Sequence, residues 1–373
     1  MLYVHIPFCK QRCIYCDFYS TILNSEISHK YIDAVCDEIL SVKDEKCISP
    51  LNSIYIGGGT PSVLTIENLQ KLFNCILGKF KLSSHYEFTF EMNPDDVSIE
   101  LIRFLISKKV NRISLGVQSF DDEQLRFLNR RHNARSARNA VEIIHNLGIN
   151  NISIDLIYGL PNQTLEQWKS NLNEALQLPI QHISAYSLMY EEGTPLYRLR
   201  DSGKIKETDE NTSLQMYEIL CSTLKHNGFL HYEISNFCLP TFHSRHNSGY
   251  WNNTPYIGIG AGAHSFDGNI RYYNEENIIS YTQNPGKPHR IYEELTNIEK
   301  INEFIFTKLR TSDGFNIIDF KERFGHDAFL HIQKFAVKHI NNQYLQLKDN
   351  QLSLTERGFF LSDDIMSDLM IVD

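Results

Sequence analysis

The chain has 373 residues, 42% of them hydrophobic and 22% charged, which is too long for one small domain and too apolar for a disordered chain. A net charge of -9 argues against binding nucleic acid by neutralising phosphates. No apolar run approaches a membrane span, and Met1 to Phe8 lacks the regions of a signal peptide, so a cytoplasmic location is expected.

The first half alternates short β-rich segments with stretches of helical periodicity. Strands are predicted at Leu2–Pro7, Ser53–Ile56, Tyr86–Glu91, Arg112–Val117, Ile152–Ile157 and His182–Leu188. Helices are predicted at Tyr31–Val42, Glu67–Gly78, Ile99–Lys108, Ser136–Leu147 and Glu166–Leu176. Six β-then-α repeats imply right-handed parallel crossovers, in an open doubly wound sheet or a barrel. Polar and glycine-rich residues close nearly every strand: the Cys9 loop, Gly57–Pro61, Glu91 with Asn93, Gln118, Asp155 with Tyr158, and Tyr190 with Glu191. Ligand sites of parallel α/β folds gather at those carboxyl ends. One face is therefore the expected site.

Beyond about residue 200 the pattern changes. Residues 201–211 read as a surface connection and Leu214–Asn227 as a helix, followed by a glycine-rich, aromatic stretch from Tyr250 to Ser265. Three helices (Ile298–Leu309, Ile317–Phe324, Ala328–Ile340), a strand pair (Tyr344–Leu347, Gln351–Leu354) and a last short helix suggest a mainly helical, winged-helix-like appendage. In an acidic chain it reads as a packing or protein-contact module.

Eight cysteines divide unevenly. Cys36, Cys47, Cys75, Cys221 and Cys238 are scattered and read as buried small apolar side chains or inert thiols. Cys9, Cys13 and Cys16 crowd into one CxxxCxxC loop directly after the first strand. Thiolates favour iron–sulfur clusters, zinc or copper. Structural zinc wants four closed ligands, commonly as two knuckles, and no second knuckle is present. Three thiolates leave one metal of a cubane without a protein ligand, as a substrate-binding cluster needs. Zinc with a remote fourth ligand and three metal-free thiols are the alternatives.

The loop, its lead-in Tyr3-Val-His-Ile-Pro-Phe8 and the β/α array resemble the radical S-adenosylmethionine (SAM) superfamily over nearly the whole chain. Within it they resemble the group of oxygen-independent coproporphyrinogen III oxidases and HemW-type haem chaperones. The resemblance implies a partial (β/α)6 barrel and a [4Fe–4S] cluster on Cys9, Cys13 and Cys16. It implies that the amino and carboxylate groups of SAM chelate the open iron, and that electron transfer splits the sulfonium to a 5′-deoxyadenosyl radical. Gly57-Gly58-Gly59-Thr60-Pro61 resembles the glycine-rich SAM motif, with Gly58, Gly59 and Thr60 as its contacts; side chains there would obstruct the backbone's approach to the methionine moiety. Glu91, Gln118, Arg130 and Asp155 match family SAM contacts. The carboxylates and the amide suit ribose hydroxyls and the ammonium, and Arg130 suits the carboxylate. Tyr3 and Tyr15 match further SAM-contact positions. The domains so implied are the barrel at 1–211, a connecting region at 212–285 and a helical C-terminal domain of the coproporphyrinogen-oxidase type at 286–373.

Two departures set the chain apart from the oxidases. These resemble CxxxCxxCxC, whose last position is Phe18 here, and they carry an extension before the tyrosine, whereas this chain begins two residues ahead of Tyr3. In their place stands His246-Asn247-Ser-Gly-Tyr250-Trp251, which resembles the HNxxYW motif of HemW proteins. The resemblance implies haem binding, with His246 as the expected axial ligand and Tyr250 and Trp251 packing on the macrocycle. His243 and His264 are the next candidates, and His5 is read as structural. The leading expectation is a chaperone that holds a [4Fe–4S] cluster, SAM and haem and passes haem to acceptor proteins, respiratory haemoproteins among them. The competing readings are a coproporphyrinogen III dehydrogenase, opposed by Phe18 and the short lead-in, and a zinc-bound α/β scaffold.

Overall fold

The computed structural model describes residues 1–43 and 50–372; Cys47 lies outside them. Strands and helices alternate as β1 (Leu2–Ile6), α1 (Ser25–Ser41), β2 (Leu51–Gly58), α2 (Ile66–Lys79), β3 (Leu82–Met92), α3 (Ile99–Ser107) and β4 (Arg112–Gln118). Then come α4 (Asp122–Phe127), α5 (Ala134–Asn146), β5 (Ile152–Tyr158), α6 (Leu165–Leu176) and β6 (His182–Ser187). Each of the six strands pairs in parallel with the next. Helix starts are chemically marked. Asn24, Thr65, Ser98, Asp121, Asn133 and Thr164 cap α1 to α6 by accepting a first-turn N–H, and Thr164 forms a reciprocal capping box with Gln167.

A strand's two-residue period divides its side chains between two faces. On one face Val4, Ile6, Ile54, Ile56, Phe88, Phe90, Ile113 and Ile154 are inaccessible and pack into the main core. On the other, the register sets Tyr3 beside Tyr55, Tyr55 beside Thr89, Glu91 beside Ser114 and Asp155 beside Ser184. The inner face is polar from end to end. The expected chemistry therefore extends below the strand ends into the sheet's interior.

The sheet is also wider than the six strands expected. After α7 (Pro195–Asp201) and α8 (Glu210–His226), β7 (Leu230–Glu233) and β8 (Asn236–Cys238) extend it antiparallel beyond β6. Residues 201–211 thus hold the end of one helix and the start of another. At the other edge, after α9 (Arg245–Trp251), β9 (Ile257–Ile259) pairs in parallel with β1. The order β9-β1-β2-β3-β4-β5-β6-β8-β7 has two free edges, so the barrel is open. Close approach explains a glycine here: a Cβ on Gly258 would lie 1.9 Å from the His264 carbonyl oxygen.

A small antiparallel sheet follows, made of β10 (His264–Phe266), β11 (Arg271–Asn274) and β12 (Arg290–Glu293), with α10 (Ile278–Gln283) between the last two. The chain ends with α11 (Asn297–Leu309), β13 (Phe315–Asn316), α12 (Ile317–Phe324), α13 (His326–Asn341), the hairpin β14 (Leu345–Lys348) and β15 (Gln351–Leu354), α14 (Glu356–Phe360) and α15 (Ser362–Leu369). β13 pairs with β15, which gives the helix–strand–helix–helix–hairpin order of a winged helix. Phe304, Phe315, Phe320 and Phe324 fill its centre. No helix among the described residues is long and apolar enough to cross a membrane.

One buried carboxylate ties these parts together. Glu38 on α1 is fully inaccessible, and its oxygens accept from Gly260 N (2.9 Å), Tyr281 Oη (2.6 Å), Asn274 Nδ2 (2.9 Å) and Arg290 Nη2 (3.4 Å). Removing it takes an acceptor from four donors, of which Gly260 N and Tyr281 Oη are buried. Glu38→Ala is expected to lower stability by about 3–5 kcal/mol in chemical denaturation, with Glu38→Gln costing clearly less; equal losses would mean that the charge, not the hydrogen bonds, holds the node.

Candidate functional site

At the carboxyl ends of the strands lies a cavity of about 520 Å³. Cys9, Cys13 and Cys16 all line it, as do Tyr15, Gly58, Gly59 and Thr60. Glu91, Gln118, Arg130 and Asp155 line it too. The short pairing of Phe8–Cys9 with Thr21–Ile22 closes the cysteine loop on itself. Gly59 lets the end of β2 reach it, since a Cβ there would meet Phe8 O at 2.9 Å and Cys9 Sγ at 3.1 Å.

Each sulfur environment bears on whether metal fits. Thr60 Oγ1 donates to Cys9 Sγ (3.4 Å) and Arg130 Nη1 to Cys13 Sγ (3.2 Å). Such donors favour thiolates and tune a cluster. Burial, helped by the charge of the neighbouring cysteines, pushes the Cys9 thiol up and that of Cys16 to about 11. Metal binding displaces thiol protons, so a bound cluster would hold Cys9 and Cys16 as thiolates in spite of that rise. Among the described residues no three His, Cys, Asp or Glu side chains converge on a single ion. A cubane asks for something different, one thiolate on each of three irons. The donor set fits a cluster better than one zinc ion.

The rest of the cavity wall is held in place by hydrogen bonds. Arg130 reaches from the loop after α4 to Asn93 Oδ1 (2.5 Å) and the Gly116 carbonyl (2.5 Å) as well as to Cys13. Glu91 accepts from Tyr55 Oη and from Gly58 N (3.1 Å). Burial raises its pKa to about 7, against the Tyr55 bond, and the Asp155 charge adds to the rise. Burial likewise raises Asp155 to about 6, with the Ser184 hydroxyl pulling the other way. Gln118 sits at φ 67°, a left-handed conformation that ends β4 and turns its amide to the cavity.

Two expected residues lie elsewhere. Tyr3 is not on this cavity: its hydroxyl pairs with His5 Nδ1 (2.8 Å), and its ring lines a second cavity beyond α9. His246, expected as a haem ligand, lines neither cavity. It is 1% exposed, and both ring nitrogens are engaged, Nδ1 with Ser53 Oγ (3.0 Å) and Nε2 with Tyr250 Oη (2.9 Å). Its motif neighbours divide. Asn247 lines the first cavity, whereas Tyr250 and Trp251 line the second.

The sequence reading missed Arg112. It is 2% exposed, lines the first cavity from the barrel interior, leaves Nε unpartnered among the described residues, and lowers the pKa of both Glu91 and Asp155. The signal was available in Arg112-Ile-Ser-Leu-Gly-Val-Gln118, where polar or glycine residues alternate with apolar ones.

Residues 3–175 match the family model of the radical SAM superfamily, and residues 295–361 that of the HemN C-terminal domain. A heme chaperone HemW of Lactococcus lactis is 38% identical over 373 residues, covering 100% of this chain and 97% of that protein. The chain belongs to the HemW family. A heme chaperone HemW of Bacillus subtilis is also 38% identical, over 87% of this chain and 86% of its own. Among solved structures, the coproporphyrinogen III oxidase HemN of Escherichia coli superposes with a TM-score of 0.85 over 99% of this chain and 89% of its own. At 21% identity that likeness shows the fold alone.

The raised Glu91 carboxyl has a consequence for stability. Its folded pKa, about 7 against an ordinary 4.5, lies above the unfolded one, so its contribution is complete below about 4.5 and lost as pH rises through about 7. Glu91→Gln is expected to raise the melting temperature relative to the wild type at pH 8 and to leave it nearly unchanged at pH 5. Equal gains at both pH values would show that Glu91 is an ordinary ionised carboxylate.

Proposed function

We propose that this protein is a haem chaperone: it holds a [4Fe–4S] cluster on Cys9, Cys13 and Cys16, binds SAM in the adjoining cavity, and carries haem to acceptor proteins. The observation that supports the resident groups best is that the three sulfurs and Glu91, Gln118, Arg130 and Asp155 line one cavity. Its size falls within the roughly 300–1,000 Å³ usual for small-molecule sites. When bound, the cluster would supply electrons and, at its open iron, an anchor for the methionine end of SAM.

The chain's own residues orient and shield. Arg130 offers a guanidinium to a carboxylate near Cys13. Glu91 and Asp155 offer acceptors to hydroxyl or ammonium groups, and Glu91 is fixed for it by Tyr55 and Gly58. Gly58 and Gly59 leave the backbone open to a ligand, and Tyr15 walls the loop side. Arg112 balances the two carboxylates from beneath.

The carrying of haem is supported by the relatives named heme chaperones and by the motif helix α9, whose Tyr250 and Trp251 present rings to the second cavity. His246 takes part in this reading by fixing Tyr250 rather than by reaching iron. Phe18, 65% exposed beside the loop, stands where the oxidases carry a further cysteine, and disfavours coproporphyrinogen chemistry.

Anaerobic reconstitution is expected to give about four irons per chain, and Cys9, Cys13 and Cys16 changed together to alanine are expected to abolish the cluster absorption. A cluster retained in that variant would reject the ligand assignment. In parallel, reconstituted protein is expected to bind haem and, with SAM and reductant, to leave coproporphyrinogen III unconverted. Formation of protoporphyrinogen IX would make it a dehydrogenase instead.

A further inference from the structure

Two cavities flank α9, and the second is as large as the first, about 570 Å³. It lies between β1, α9, the small sheet and α11, and Tyr3, Tyr250, Trp251, Tyr256, Phe266 and Phe306 give it its ring surface. Two histidines line it. His5 is already committed, Nδ1 to Tyr3 Oη and Nε2 to the Tyr19 carbonyl (3.0 Å). His264 makes no side-chain hydrogen bond among the described residues. Its ring lies on Tyr273, with centroids 4.7 Å apart and planes 18° from parallel, and one side is exposed. Partial burial pulls its pKa below the usual histidine value, against the charges of Glu293 and Glu276.

Two further groups point to an anionic ligand. Trp251 Nε1 and Arg271 Nε are buried N–H donors without a partner among the described residues, and both residues line the cavity. Unmet buried donors are uncommon in native proteins and call for a partner. Arg271 is otherwise tied through Nη2 to Glu303 (2.6 Å), which lines the cavity together with Asp17 and Glu276, so the unmet N–H groups of Trp251 and Arg271 are the donors left for an anionic group. A slot walled by aromatic rings, with one free imidazole and two unmet donors, suits a flat apolar macrocycle bearing carboxylates and an iron.

We propose that haem docks in this second cavity, with a ring nitrogen of His264 as its axial ligand. The inference rests on the haem-carrying reading above and assigns a place and a ligand to it. Asp17 and Phe18, directly after Cys16, line both cavities. Haem bound there would touch the loop that carries the cluster ligands.

The test is haem titration of reconstituted wild-type protein, His264→Ala, His264→Met and His246→Ala, followed by Soret absorption and magnetic circular dichroism. The wild type is expected to show a histidine-ligated spectrum. His264→Ala should lose that signature, bind haem more weakly on the order of tenfold or more, and regain the signature with added imidazole. His264→Met should exchange it for the spectrum of a thioether ligand, which a merely structural role would not produce. His246→Ala should keep the histidine signature with a weaker affinity. A wild-type spectrum in both His264 variants would overturn this inference while leaving the chaperone reading intact. No haem uptake by the wild type would overturn both.

Discussion

Three sulfurs set side by side on one short loop repel one another as thiolates and gain little as thiols, so their grouping must be imposed by the surrounding fold. The parallel sheet imposes it. The backbone of Phe8–Cys9 pairs with Thr21–Ile22, Gly59 lets β2 close against Cys9, and Arg130 brings a positive charge to Cys13. These contacts gather the three sulfurs at the mouth of the strands, where the polar inner face of β3 to β6 lines the same cavity.

The second organising element is α9, a helix of only seven residues. His246 anchors it to β2 through Ser53 and props Tyr250, while Asn247 faces one cavity and Trp251 the other. A histidine whose nitrogens are both used is a brace. Substituting it would disturb both cavities at once, so a loss of function there says little about direct contact with iron. The Glu38 node performs a similar service further out, fixing the turn between β9 and β10 from which His264 projects.

Much of this was legible in the sequence, for identifiable reasons. The six strands and the helices between them follow from β-branched apolar segments and marked caps, and the CxxxCxxC loop declares soft-metal chemistry through its donors. The extra strands β7 to β9 were not legible, because three or four residues carry too little periodicity to separate strand from loop. The motifs of Tyr3 and His246 point both residues at ligands. Their hydrogen bonds, which decide what each ring can reach, depend on His5, Ser53 and Tyr250 and are set by tertiary contacts. For Arg112 the difficulty is different: a lone charge opening a strand has the pattern of a surface residue, and only the tertiary packing buries it.

The claim on which the whole account turns is that the fourth iron is left free by the protein and taken by SAM. Mössbauer spectra of protein reconstituted with ⁵⁷Fe, recorded before and after SAM is added, address it directly. One iron in four is expected to change its isomer shift and quadrupole splitting while the other three keep theirs. Four irons that ignore SAM, or a protein that takes up one zinc in place of iron, would contradict it.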